Sequence, residues 1–149
     1  MKSHILTRNT IIKKNIDEVF KFFSKAENLN QITPPLLGFK IINSPEEMKK
    51  GSLIDYKIKL NGITFNWQTE ITKWDPPYYF EDTQIKGPYK MWVHEHKFEE
   101  KDEITFMTDI VNYLSPGGIF EFIPHKLIVK KKVESIFDYR EKSLKKIFG

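Results

Sequence analysis

Residues 63–74 read ITFNWQTEITKW, with large apolar and polar positions in alternation. In an extended chain Phe65, Trp67, Thr69 and Ile71 share one face, opposite Asn66, Gln68, Glu70 and Thr72. The same period of two predicts strands over LLGFKIIN, SLIDYKIKL, YYFEDTQIK, KMWVHEHKFEE and ITFMTDIVNYL, and a first strand over SHILTRNTIIKK. Short turn signals separate them: Asn61-Gly62, Asp75-Pro76-Pro77, Gly87-Pro88 and Lys101-Asp102-Glu103. Consecutive strands joined this tightly predict an antiparallel meander. Two stretches break the period. In NIDEVFKFFSKAENLNQI, capped by Asn15 or Asp17, Val19, Phe20, Phe23 and Ala26 recur at helical spacing until Pro34-Pro35 stops the pattern. After Pro124, which suits a first helical turn, Val129, Val133, Ile136, Phe137, Leu144, Ile147 and Phe148 mark one side of a long helix. About 24 residues would span roughly 36 Å.

The order is a strand, a helical insert, six strands and a long helix, and residues 1–149 are expected to form one domain. An antiparallel sheet with one polar face must bury the other, and the C-terminal helix is the element long enough to cover it. The expected fold is α+β, a curved antiparallel sheet wrapped around that helix. A sheet so curved leaves space beside a helix, and a cavity is expected there.

The alternation decides which polar groups face that cavity. In MWVHEHKF, Trp92, His94, His96 and Phe98 share a face. Taking Phe80, Asp82 and Gln84 as inward on one neighbouring strand, and Thr105, Met107, Asp109, Val111 and Tyr113 on the other, brings two carboxylates to the two histidines. Arg140 joins them from the helix, because it lies on the apolar stripe between Phe137 and Leu144. A buried guanidinium needs an acidic partner or an anionic ligand. Three chemistries are open to such a group: a metal site, a His–carboxylate acid–base pair with His94, His96 and Asp109 as catalytic candidates, or an interior hydrogen-bonded network. His4 and His125 have no motif spacing to the pair, so metal is the weakest reading, and no metal or other cofactor is expected.

Composition narrows the classes further. Twelve Phe, six Tyr and three Trp suit a bulky core or an aromatic-walled cavity. The absence of Cys excludes disulfides, thiolate metal sites and a Cys nucleophile. The first ten residues have no apolar h-region, and no apolar run reaches membrane-spanning length, so a cytoplasmic location is expected. The net charge of +4 arises in residues 117–149, with eight Lys/Arg against four acids. That excess reads as a solvated helix face. Without an interleaved aromatic platform it does not predict nucleic-acid binding, and Lys130, Lys131 and Lys132 without a matching apolar patch do not predict membrane contact. The sequence carries no sign of oligomeric state.

The stretches NLNQITPP, GSLIDYKIKLNGITFNW, PPYYFEDTQIKGPYKMWVHEHKF and SIFDYR, in this order of elements, resemble the START-like (SRPBCC) helix-grip superfamily, in particular its bacterial cyclase/dehydrase-like ligand-binding subgroup. The resemblance implies an elongated, mostly apolar cavity between sheet and helix. The expected function is to hold a small apolar or amphipathic molecule there. Trp67, Trp92, Phe98, Met107 and Phe137 are the expected wall, with Asp82, Gln84, His94, His96, Asp109 and Arg140 as polar contacts. A cyclase/dehydratase-like enzyme using a His–carboxylate pair is the alternative. The SPGG stretch, with Gly117, Gly118, Ile119, Phe120 and Phe122, is a candidate gate.

Overall fold

The computed structural model describes residues 3–60 and 62–149, with the backbone alone for Ile119, Lys126 and Leu127. Seven strands form one sheet: β1 (His4–Ile12), β2 (Lys40–Asn43), β3 (Leu53–Leu60), β4 (Ile63–Asp75), β5 (Tyr79–Lys86), β6 (Tyr89–Lys101) and β7 (Ile104–Pro116). Their order, β1-β7-β6-β5-β4-β3-β2, is antiparallel throughout. The meander runs from β2 to β7 and β1 closes its far side. Asn61, on which half of the Asn-Gly signal falls, lies outside the described residues, while β3 and β4 pair from Leu60↔Ile63 outward. Between β6 and β7, Asp102 and Glu103 both take positive φ, the geometry of a tight two-residue hairpin turn.

The helical insert is shorter and more broken than the sequence pattern predicts. α1 (Ile16–Phe23) is capped by Asn15, whose side chain accepts from the Glu18 amide. It stops where Ser24 bonds back to the Phe20 carbonyl and Lys25 turns extended. A short 3₁₀ turn leads to α2 (Leu29–Ile32), and Thr33 then turns extended ahead of Pro34. The long helix begins differently too. Pro124 stands just before it, residues His125–Val129 wind as a π-helical turn, and α3 (Lys130–Phe148) follows.

The sheet's inner face and α3 enclose two apolar clusters. One gathers Phe20, Phe23, Phe80, Phe98, Met107 and Leu144. The other gathers Trp67, Tyr89, Trp92, Tyr113, Val133 and Phe137. The predicted faces hold: Thr105, Met107, Asp109, Val111 and Tyr113 of β7 are all buried, as are Trp67, Thr69 and Ile71 of β4. Two ionic contacts fix α3 on the sheet. Arg8 of β1 reaches Asp138 and the Glu134 carbonyl, and Arg140 of α3 reaches Asp109 of β7. Of the candidate gate, Phe120 is buried against Phe65, whereas Phe122 is fully exposed; the Ile119 side chain lies outside the described residues. No described helix is long and apolar enough to cross a membrane.

Phe98 is 1% exposed and packs against the rings of Phe20, Phe23 and Phe80, whereas Ile5 of β1 is 67% exposed. Phe98→Ala should therefore cost about 3–5 kcal/mol in denaturant unfolding. Ile5→Ala should stay within about 0.5 kcal/mol of the parent. Similar losses at the two sites would contradict this assignment of faces.

Candidate functional site

Where the two apolar clusters meet, the sheet carries a polar layer built by register. Asp82 of β5 stands opposite His94 of β6, and His96 stands opposite Asp109 of β7. The hydrogen bonds nevertheless run diagonally. His94 Nε2 lies 2.7 Å from Asp109 Oδ1, and His96 Nε2 lies 2.6 Å from Asp82 Oδ2. Leaning in opposite directions stacks the two imidazoles with centroids 3.7 Å apart. Phe80 stacks on the far side of His96 at 3.9 Å, and Phe137 of α3 meets His94 edge-on. Each histidine thus touches one apolar cluster and hydrogen-bonds one carboxylate, with the other carboxylate within 3.9 Å.

Arg140 completes the layer from α3. Its Nη2 lies 3.9 Å from Asp109 Oδ1, and its guanidinium sits over the rings of Phe23 and Phe137. Burial alone would raise the Asp109 pKa. The Arg140 charge, the hydrogen bond from His94 and the two imidazoles outweigh it and hold that pKa down at about 2. Burial raises Asp82 above its ordinary value against the pull of His94, Arg140 and Thr69. His96 is pushed well below 6.5 by burial and by the neighbouring His94 and Arg140 charges, against the opposing pull of Asp109. A neutral His96 with its Nε2 on Asp82 shares one proton with that carboxylate, leaving Nδ1 without a partner, 3.5 Å from Asp109 Oδ1.

Beside this layer is a cavity of about 140 Å³. Its wall includes Trp67, Asp82, Trp92, His94, His96, Phe137 and Arg140, seven of the residues singled out in the sequence. Four others do not reach it. Phe98 and Met107 lie buried in the first apolar cluster, and Asp109 sits behind the histidines. Gln84 is a correction of another kind: its side-chain amide clips the β5–β6 hairpin, donating to the Tyr89 carbonyl and accepting from the Tyr89 amide. Gly87 makes room for that amide, since a Cβ there would meet Gln84 Oε1 at 2.3 Å. Sequence reasoning missed Phe23, Phe39 and Tyr56 on the wall, and read Phe80 as inward without naming it there. The burial of Ile54, Ile58 and Leu60 marks the inner face of β3 and would have signalled Tyr56 by alternation. Burial and then the nearby Asp82 charge raise the Tyr56 pKa, so its hydroxyl stays protonated.

Asp82, His94 and His96 offer ligand atoms within 4.8 Å of one another, the beginnings of a cation site. The stacking argues against its use. Metal lies in the plane of each imidazole it binds, and two rings 3.7 Å apart and 26° from parallel share no such point.

A family model described as "Polyketide cyclase / dehydrase and lipid transport" matches residues 12–140. The chain belongs to this family. The resemblance drawn from the sequence is thereby confirmed, as is the helix-grip fold. The Zhui aromatase/cyclase from Streptomyces sp. R1128 superposes with a TM-score of 0.73 at 12% identity, covering 96% of this chain and 92% of its own. Major latex-like protein 151 from Panax ginseng gives 0.67 at 15% identity, covering 98% and 97%. A protein from Chromobacterium violaceum gives 0.74 at 9% identity, covering 97% of both chains. No curated protein matches the chain.

The polar layer makes stability depend on pH in a definite sense. His96 titrates below 6.5 in the fold, so the unfolded chain takes up a proton the folded chain refuses, and stability falls as pH drops below 6.5. Asp109 adds a second loss between its ordinary 3.8 and about 2. Asp82, raised in the fold, works the other way. Thermal midpoints should therefore decline below about pH 6.5, and His96→Gln should flatten that upper arm relative to the parent. An unchanged slope in H96Q would show that His96 protonates as freely in the fold as outside it.

Proposed function

We propose that this chain, as one START-like domain, binds a small, largely apolar molecule in the cavity between the sheet and α3. The observation that carries this reading is an apolar-walled space adjoining a polar cluster whose nitrogens lack partners. Trp67 Nε1, His96 Nδ1 and Arg140 Nε and Nη2 are buried without a hydrogen bond, and all three side chains stand on the cavity wall. Groups of that kind fix a ligand's orientation within an apolar pocket. Size sharpens the reading. An apolar cavity of about 150 Å³ holds benzene. The cavity here, about 140 Å³, therefore fits one ring or a short chain. The elongated pocket implied by the resemblance is thus compact in this chain, and a multi-ring ligand would require its walls to part.

The alternative, a cyclase/dehydratase-like enzyme, has one observation in its favour: the Asp82–His96 pair lies on the wall with a short hydrogen bond. A solved neighbour is an aromatase/cyclase by name. The pair's exposure weighs against it. His94, His96 and Asp109 side chains are at most 5% exposed and Asp82 is 19% exposed, so proton transfer would have to pass through Asp82. Binding is the better supported reading.

Toluene should bind with one-to-one stoichiometry, followed by quenching of Trp67 and Trp92 fluorescence. Ile54→Phe, which fills the wall from β3, should weaken that binding at least tenfold while the protein stays folded. Equal binding by parent and I54F would place the ligand elsewhere.

A further inference from the structure

Three side chains of the cavity wall, Trp67, His96 and Arg140, carry buried unpaired atoms, and all of these are nitrogens. The wall's carboxylate oxygens are already engaged, Asp82 Oδ2 with His96 and Asp82 Oδ1 facing Thr69 at 3.5 Å. Asp109, behind them, is taken by His94. Trp67 Nε1 and the Arg140 nitrogens can only donate, whereas the role of His96 Nδ1 depends on its tautomer, so a matching ligand has to bring acceptors. An aromatic cavity with a carboxylate on its wall could otherwise be taken for an amine site, but that carboxylate is occupied.

Arg140 narrows the acceptor. Its unpaired atoms are Nε and Nη2, which lie along one edge of the planar group and project parallel N–H bonds. Two oxygens of one carboxylate accept such a pair together. Asp109 lies 3.9 Å from Nη2 on this same edge, an ion pair without a hydrogen bond, so the edge is unsatisfied though it already faces one buried carboxylate. Phe23 and Phe137 flank the guanidinium with ring faces, suited to an aromatic body running on from the charged end.

Resting on the binding reading above, we propose that the cavity selects a ring-sized aromatic carboxylate, with its carboxylate on Arg140 and Trp67 Nε1 as a second donor to a ligand oxygen. Asp82 stands on the same wall, and a second negative charge there is accommodated when the proton it shares with His96 sits on the carboxylate. Burial already favours that state. A neutral ring of the same size would fill the apolar space and leave the guanidinium edge unpaired.

The test compares benzoate, benzyl alcohol, benzylamine and toluene by calorimetry at neutral pH on the full chain. Benzoate should bind at least tenfold more tightly than benzyl alcohol or benzylamine. Arg140→Gln should abolish that preference, while Arg140→Lys, which keeps the charge without the planar edge, should retain part of it. Toluene binding with no preference for benzoate overturns the carboxylate assignment and leaves the cavity reading standing. A preference that survives in a folded R140Q overturns the role of Arg140. Failure of all four probes overturns both readings. Should R140Q not fold, the wild-type ranking of the three polar probes decides the matter alone.

Discussion

A carboxylate 3% exposed on an inner strand can stay ionised only if a positive group is brought to it. Asp109 imposes that condition on this fold, and Arg140 meets it from α3. The helix must therefore present one particular face to the sheet, with Phe137 against His94 and Leu144 in the first apolar cluster. Arg8 secures the same arrangement from the opposite direction, running from β1 to Asp138 and the Glu134 carbonyl. Two cations thus cross the gap between sheet and helix, one from each side. Apolar packing alone would tolerate a rotated or shifted helix far better than this pair does.

The polar layer also explains why the interior is divided. Buried imidazoles need hydrogen-bond partners, and the diagonal pairing supplies them from β5 and β7 at 2.6 and 2.7 Å. That arrangement fixes the rings in a stack between Phe80 and Phe137 and splits the apolar residues into two clusters on either side. Tyr56 borders both. The cavity lies along this boundary, where four aromatic or charged side chains of fixed orientation cannot interdigitate as aliphatic ones do. Its apolar walls and its orphan nitrogens are two results of one packing problem.

Much of this was legible because the strands alternate over long runs, even though the β4–β5 register shifts at Gln68/Thr69 and at Ile71/Lys73. Once Trp67 and Ile71 are placed inward, the turns at Asp75-Pro76 and Gly87-Pro88 carry the assignment across β5 and β6, and Asp82, His94, His96 and Asp109 arrive on one surface. The misplaced stripe position of Arg140 pointed to the same surface from the helix. What alternation cannot give is depth and reach. Gln84 and Asp82 share a face, yet one is close enough to a tight turn to clip it and the other is not. Asp109 and His94 share a face as well, and only a three-dimensional packing decides which lies in front. The π-helical lead into α3 and the break at Ser24 depend on local hydrogen bonds that apolar periodicity does not encode.

The uneven exposure of the layer bears on how it can communicate with a ligand. Asp82 is its most open corner, while its partner His96 is sealed and Arg140 is 11% exposed at the side chain. A molecule filling the cavity would cover Asp82 and so strengthen the field of every charge behind it. Burial favours the proton of the Asp82–His96 pair on the carboxylate, and the His94–Asp109–Arg140 arm lies one 3.7 Å ring stack away. Arg140 thus has two places at once, in the ion pair that seats α3 on the sheet and on the wall of the cavity.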